Sequence, residues 1–159
     1  MSVHDQRARE ALLRPDHHDR IEACLEELRS AARVDDRSAL HDAWDALENT
    51  VLGHIGAEEE HILPPFAEVY PEEAQAIRVE HEEIRSLLDD LGVSVDLKRL
   101  NAGTADELAA RLREHARRED GFLYPWAQRK LSAWPYFRDA LLRPGIAART
   151  EAERERKSP

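Results

Sequence analysis

Apolar residues along this chain recur every three to four positions, the spacing of a helix buried on one side. From Asp16, the segment DHHDRIEACLEELRSAARV places His18, Ile21, Leu25 and Leu28 on one stripe, and Asp35-Asp36 interrupt it. Pro15, just ahead, suits a first helical turn. A second helix is predicted from about Ser38 to Leu63, with Leu40, Leu47, Val51, His54, Glu58 and His61 on one face. Pro64-Pro65 read as its stop. The stretch FAEVYP reads as a short connection to a third helix near Glu72–Leu91, ended by Gly92. Residues 93–103 are the longest predicted loop, and Thr104-Ala-Asp-Glu107 has the capping-box spacing that opens a helix. This fourth helix carries Leu108, Leu112, His115, Glu119 and Phe122 on one face, with Pro125 near its end.

Four long helices with mostly short connections predict an all-α fold, an antiparallel up-down four-helix bundle. The expected domain spans residues 15–133. Residues 1–14 form an N-terminal arm, and residues 134–159 form an extension with one short helix over 134–147 and a frayed tail.

Composition narrows the function classes. The 159 residues include 23 basic and 33 acidic side chains, a formal charge of −10. That argues against a nucleic-acid role, where a basic face is expected, and against electrostatic attraction to anionic lipid. No apolar run approaches the roughly 20 residues needed to cross a bilayer, and residues 1–14 lack the apolar core of a secretory signal. The single cysteine, Cys24, permits no internal disulfide, so a reducing cytoplasmic setting is expected. Histidine is the conspicuous count, at 8.

Those histidines fall into an internal repeat. HDRIEACLEEL (18–28) aligns with HEEIRSLLDDL (81–91), matching His18 to His81, Ile21 to Ile84, Leu25 to Leu88 and Leu28 to Leu91. HIGAEEEHILP (54–64) aligns with HARREDGFLYP (115–125), matching His54 to His115, Glu58 to Glu119 and Glu59 to Asp120, and Leu63 and Tyr124 precede a matched proline. The order is therefore H, HxxxE, H, HxxxE, one element per helix.

Residues four apart on a helix project from one face, about 6 Å apart along the axis. Imidazole and carboxylate together suit iron, among other metals. The twofold repeat predicts that His18 and His54 hold one metal, that His81 and His115 hold the other, and that Glu58 and Glu119 bridge them. Bridging carboxylates offset charge that a dry core could not otherwise carry. Positions remain for an oxo or hydroxo bridge and for a small exogenous ligand.

Here the residues resemble the hemerythrin HHE family, over roughly residues 16–130. His18, His54-x3-Glu58, His81 and His115-x3-Glu119, with LPP and LYP after the HxxxE elements, look like that family's pattern. The resemblance implies a hemerythrin-like bundle with two iron ions between its helices. It also implies one of several activities: reversible O2 binding, peroxide or nitric-oxide chemistry, iron sensing, or repair of iron–sulfur clusters. This chain departs from the O2 carriers, which have a fifth histidine one turn after the third-helix histidine and HxxxxD on the fourth helix. Here those neighbouring positions are Ile77 and Arg85, and the fourth-helix spacing is HxxxE. That form looks like the bacterial, notably actinobacterial, hemerythrin-like proteins, for which peroxide-related, catalase-like activity is known. The Cys-containing N-terminal domain of the cluster-repair members is not seen in this sequence.

Other residues have plainer readings. His41 lies about 220° around its helix from His54 and is expected at the surface. His61 shares the His54 face, but its counterpart is Phe122, so it is expected to pack or to support the ligands rather than bind metal. His17 is off the stripe, and the register with His81 favours His18. Cys24 is expected to be a small packed residue. Tyr70 and Tyr124 are candidates for approaching the metals, while Trp44, Trp126 and Trp134 are expected in bundle or cap packing. Three functions follow as expectations: a di-iron enzyme acting on H2O2, a binder or sensor of O2, nitric oxide or iron, and a structural bundle that binds no redox metal or binds zinc; manganese also stays open as the metal of the centre. Any electron donor is unknown.

Overall fold

The computed structural model describes residues 16–34, 36–97, 100 and 102–130, and among these every regular element is helical. The predicted arm, the extension with its short helix and Trp134, and Pro15 lie outside the described residues. The helices are α1 (Asp16–Arg33), α2 (Arg37–His61), α3 (Leu63–Val69), α4 (Pro71–Asp96), α5 (Ala102–Arg118) and α6 (Tyr124–Lys130), and a π-helical turn (Glu119–Leu123) joins α5 to α6. The four long helices close into a ring: α1 packs on α2, α2 on α4, α4 on α5, and α5 on α1. This is the expected four-helix bundle. No helix among the described residues is long and apolar enough to cross a membrane.

Local chemistry explains most boundaries. Asp36 caps α2, its carboxylate accepting from the Ser38 and Ala39 N–H groups at 2.9 and 3.2 Å. Pro71 starts α4, with Glu72 and Glu73 in the first turn where the helix dipole favours negative charge.

Three expectations need correction. FAEVYP is not a plain connection, because the proline pair opens α3 as well as closing α2. A proline has no N–H, and the first turn of a helix does not need one. The chain stays near helical geometry at Ile62 (φ −107°, ψ −49°), so the stop acts as a bend between two helices. Gly92 does not end the third helix, which continues to Asp96. Its missing side chain serves packing instead: a Cβ there would lie 3.1 Å from the indole of buried Trp44. Finally, α5 begins at Ala102, so Thr104 sits within its first turn rather than ahead of it.

Two apolar clusters fill the bundle. One contains Ile21, Leu25, Leu28, Leu47, Val51, Ile84, Leu88 and Leu108. The other contains Ile62, Leu63, Phe66, Ile77, Leu123 and Trp126. Burying side chains of this size contributes about 1.5–3 kcal/mol each. Between the two clusters, in helix order, lies a layer of buried polar residues: His54, Glu58, His81, His115 and Glu119.

Candidate metal centre

A polar layer inside a bundle is costly unless its groups find partners. Here each group is delivered by the register that places leucines above and below it. His18 comes from α1, His54 and Glu58 from α2, His81 from α4, His115 from α5, and Glu119 from the first residue of the π turn. The imidazole of His18 keeps 12% of its surface exposed, while the side chains of the other five keep between 0 and 4%. All six residues proposed from the repeat thus converge at one depth. Glu22, which repeats the HxxxE spacing after His18, points away and pairs with Arg113 at 2.6 Å.

The two glutamates divide their oxygens between two sides. Glu119 Oε2 lies 3.2 Å from His18 Nε2 and 3.4 Å from His54 Nε2, while its Oε1 lies 2.7 Å from His115 Nε2 and 3.9 Å from His81 Nε2. Glu58 Oε1 lies 3.3 Å from His54 Nε2, and its Oε2 lies 3.3 and 3.9 Å from His81 and His115 Nε2. The rings form two pairs, with centroids 5.4 Å apart for His18 and His54 and 4.8 Å apart for His81 and His115. One atom each from His54, Glu58, His115 and Glu119 fits within 4.8 Å.

A second set of carboxylates stands behind the imidazoles. Glu59 accepts from His81 Nδ1 at 2.9 Å and is clamped by both terminal nitrogens of Arg85, at 3.0 and 2.7 Å. Glu80 accepts from His115 Nδ1 at 2.9 Å and is held by Arg118 at 2.7 Å. Asp120 lies 3.3 Å from His18 Nδ1. Burial alone would raise the Glu59 and Glu80 carboxyls, but the bonds from Arg85 and His81, and from His115 and Arg118, hold both below the usual carboxylate range. An ionised carboxylate only accepts, so Nδ1 of His81 and His115 must carry the proton. In the neutral rings the Nε2 lone pair then points inward.

The electrostatics call for cations. Burial depresses the imidazoles, yet the surrounding carboxylates outweigh it. His18 is raised to about 9 by Asp120 and Glu119, His81 to about 9 by Glu119 and Glu58, and His115 to about 10 by Glu119 and Glu80. Burial and the neighbouring Glu119 push Glu58 up. Glu119 is pulled well below its ordinary value because His115, His18 and His54 together overcome its burial. His81 Nε2, His115 Nε2, Glu58 Oε2 and Glu119 Oε1 are buried and crowd together, at 3.3 Å for His81 to Glu58 and 2.7 Å for His115 to Glu119, without well-directed hydrogen bonds. Imidazole nitrogens and carboxylate oxygens gathered in this way suit a metal.

Tyr124 belongs to this site, whereas Tyr70 does not. The Tyr124 hydroxyl donates to Glu58 Oε1 and lies 3.4 Å from both His54 Nε2 and Glu119 Oε2. Burial and the two glutamates raise it well above the ordinary phenol value, so it remains a donor. The π turn explains how it arrives. Five residues of α-helix rotate a side chain about 140° off its starting face, but i→i+5 bonding returns position 124 toward the face of Glu119. The same turn moves Phe122 off the predicted inward stripe. It packs against Phe66 and Tyr70, at centroid distances of 5.4 and 4.8 Å.

Sequence reading missed Glu80, whose repeat counterpart is His17, and gave no role to Glu59 and Asp120 beyond their alignment with each other. That alignment was the available signal, since each stands behind the first histidine of the opposite repeat. His61 is a further correction. Its ring is 46% exposed and 3.8 Å from Glu60, so it neither packs inward nor supports the ligands. It is the last residue of α2, where the bend turns the chain away. His41 is partly exposed, 3.9 Å from Asp96, and Cys24 is packed against α2 near Thr50.

Neither the curated proteins nor the solved structures compared include a match to this chain. A family model, described as the hemerythrin HHE cation binding domain, matches residues 15–133. With that match over three-quarters of its length, and a buried His/Glu cluster fit for a metal, the chain belongs to the hemerythrin HHE cation-binding family.

Proposed function

We propose that this chain is a non-haem di-iron protein that reacts with small oxidants, H2O2 foremost. In this reading His18 and His54 would hold one iron, His81 and His115 the other, and Glu58 and Glu119 would be shared by both. The observation that carries it is the division of both carboxylates, each turning one oxygen toward one histidine pair and the other oxygen toward the second pair. Two redox metals with open coordination positions would supply electron exchange with a bound oxidant.

The chain's own groups have defined tasks around that chemistry. Glu59 and Glu80 fix the tautomers of His81 and His115 and keep Nε2 facing inward. The apolar clusters above and below exclude bulk water. Tyr124 holds a proton at its hydroxyl beside Glu58, 3.4 Å from His54 Nε2. Disproportionation converts two H2O2 into O2 and two H2O and balances without an outside electron donor.

The test is metal analysis followed by peroxide. Protein purified without added metal should contain two irons per chain and release O2 from H2O2 faster than free iron. Joint replacement Glu58→Ala and Glu119→Ala should abolish both. Zinc in place of iron, or O2 release no faster than free iron, would overturn the reading. A lasting O2 adduct of the reduced protein would instead identify a carrier.

A further inference from the structure

The six inward groups are not equally sealed. His18 alone keeps an appreciable exposed fraction, 12% of its side chain. The opening is a cavity of about 290 Å³ in the seam between α1 and α5. It is lined by His18, by the apolar side chains of Ile21, Leu112 and Ala116, and by the charged Glu22, Arg113 and Arg117. Ile21 and Leu112 are core residues that still keep 5 and 6% exposure, and both line this cavity.

We propose that this seam is the entrance by which small ligands reach the centre, passing between Ala116 and Ile21 to the His18 side. The inference rests on the reading of the centre given above and adds its route. A water occupies about 30 Å³ of liquid, so a cavity of about 290 Å³ has room for roughly ten waters. The gate is the Glu22–Arg113 pair, two hydrogen bonds of 2.6 and 2.9 Å that span the seam. Both side chains are more than 40% exposed. An exposed pair of this kind contributes about 0–1 kcal/mol, so opening it costs little.

The test places a removable plug after folding. In the full chain with Cys24→Ala, the substitution Ala116→Cys puts a thiol in the wall. Methyl methanethiosulfonate then forms a disulfide there and expels methanesulfinate. The metal-free protein should react at a rate within about tenfold of a free thiol, because the wall faces an open seam. In the iron-loaded protein, a bulkier benzyl reagent on the same thiol should slow azide binding about tenfold or more, read from the charge-transfer band, with iron content unchanged. A thiol that resists the methyl reagent would overturn the entrance, as would an unhindered azide rate after complete labelling. Absence of iron from protein whose thiol still reacts would overturn the reading of the centre, leaving nothing for the seam to serve. A normal iron band with unhindered azide would overturn the entrance alone.

Discussion

Glu59 and Glu80 face away from the cluster, yet they decide what it presents. Each accepts the Nδ1 proton of a histidine and is anchored in turn by an arginine, Arg85 or Arg118. Arg85, four residues after His81, has its guanidinium bound to Glu59 rather than reaching the centre. Replacing Glu59 or Glu80 with glutamine keeps an acceptor but removes the charge that makes the imidazole a stronger ligand. Each change is expected to weaken metal affinity about 10–100-fold, measured by competition with a chelator. Unchanged affinity in both variants would show that the carboxylates only tether helices. Tyr124→Phe asks a different question, because it removes a donor to a buried glutamate. Urea unfolding of the metal-free variant should show a loss of about 1–3 kcal/mol, the usual cost of leaving a buried acceptor unmet. A loss near zero would mean that the hydroxyl does not support Glu58 in solution.

Elements were legible in the sequence wherever the signal was local and periodic. The stripes of α1, α2, α4 and α5 follow from a spacing of 3.6 residues, and the leucines and isoleucines on them are buried as read. His54, Glu58, His115 and Glu119 stood out because the same four-residue spacing occurs twice with matched flanks. What the sequence hid depends on neighbours distant along the chain. Gly92 has the look of a helix stop, and only the approach of Trp44 from α2 shows why a glycine is kept inside α4. Pro64-Pro65 signal an ending equally well whether a loop or another helix follows. Tyr124 aligns with Leu63, so the repeat did not separate it from Tyr70 as a candidate, and the π turn that brings it to the centre leaves no pattern in one sequence. The glycine gives a prediction at this scale. Gly92→Leu should destabilise the fold by about 1–3 kcal/mol through overpacking against Trp44, seen as a lower urea midpoint. Position 92 lies about 16 Å along α4 from His81, so metal content per folded chain should not change. Unaltered stability would mean that Trp44 moves aside freely.

Across the whole molecule, the bundle is two apolar clusters separated by a charged layer, and that layer must be neutralised for the helices to close around it. Metal-free protein does this with protons, because His18 and His81 titrate near 9 and His115 near 10. Their folded values lie above the ordinary 6.5 of the unfolded chain. The stability they contribute is therefore complete below about pH 6.5 and is lost as pH rises through 9 to 10. Glu58, also raised, adds a term of the same sign, whereas the lowered Glu119 is already ionised in both states at neutral pH and contributes no slope there. Metal reverses the dependence, because its ligands must be deprotonated and its affinity rises with pH. Binding at 100 times Kd adds about 2.7 kcal/mol, and a domain of this size gains roughly 3–6 °C in Tm for each kcal/mol. The Tm difference between iron-loaded and chelator-treated protein should accordingly be about 10 °C near pH 7 and should widen between about pH 6 and pH 9. Scanning calorimetry of both forms across that range measures it. Equal melting temperatures, or a gap that closes as pH rises, would mean that the buried carboxylates are balanced by something other than bound metal.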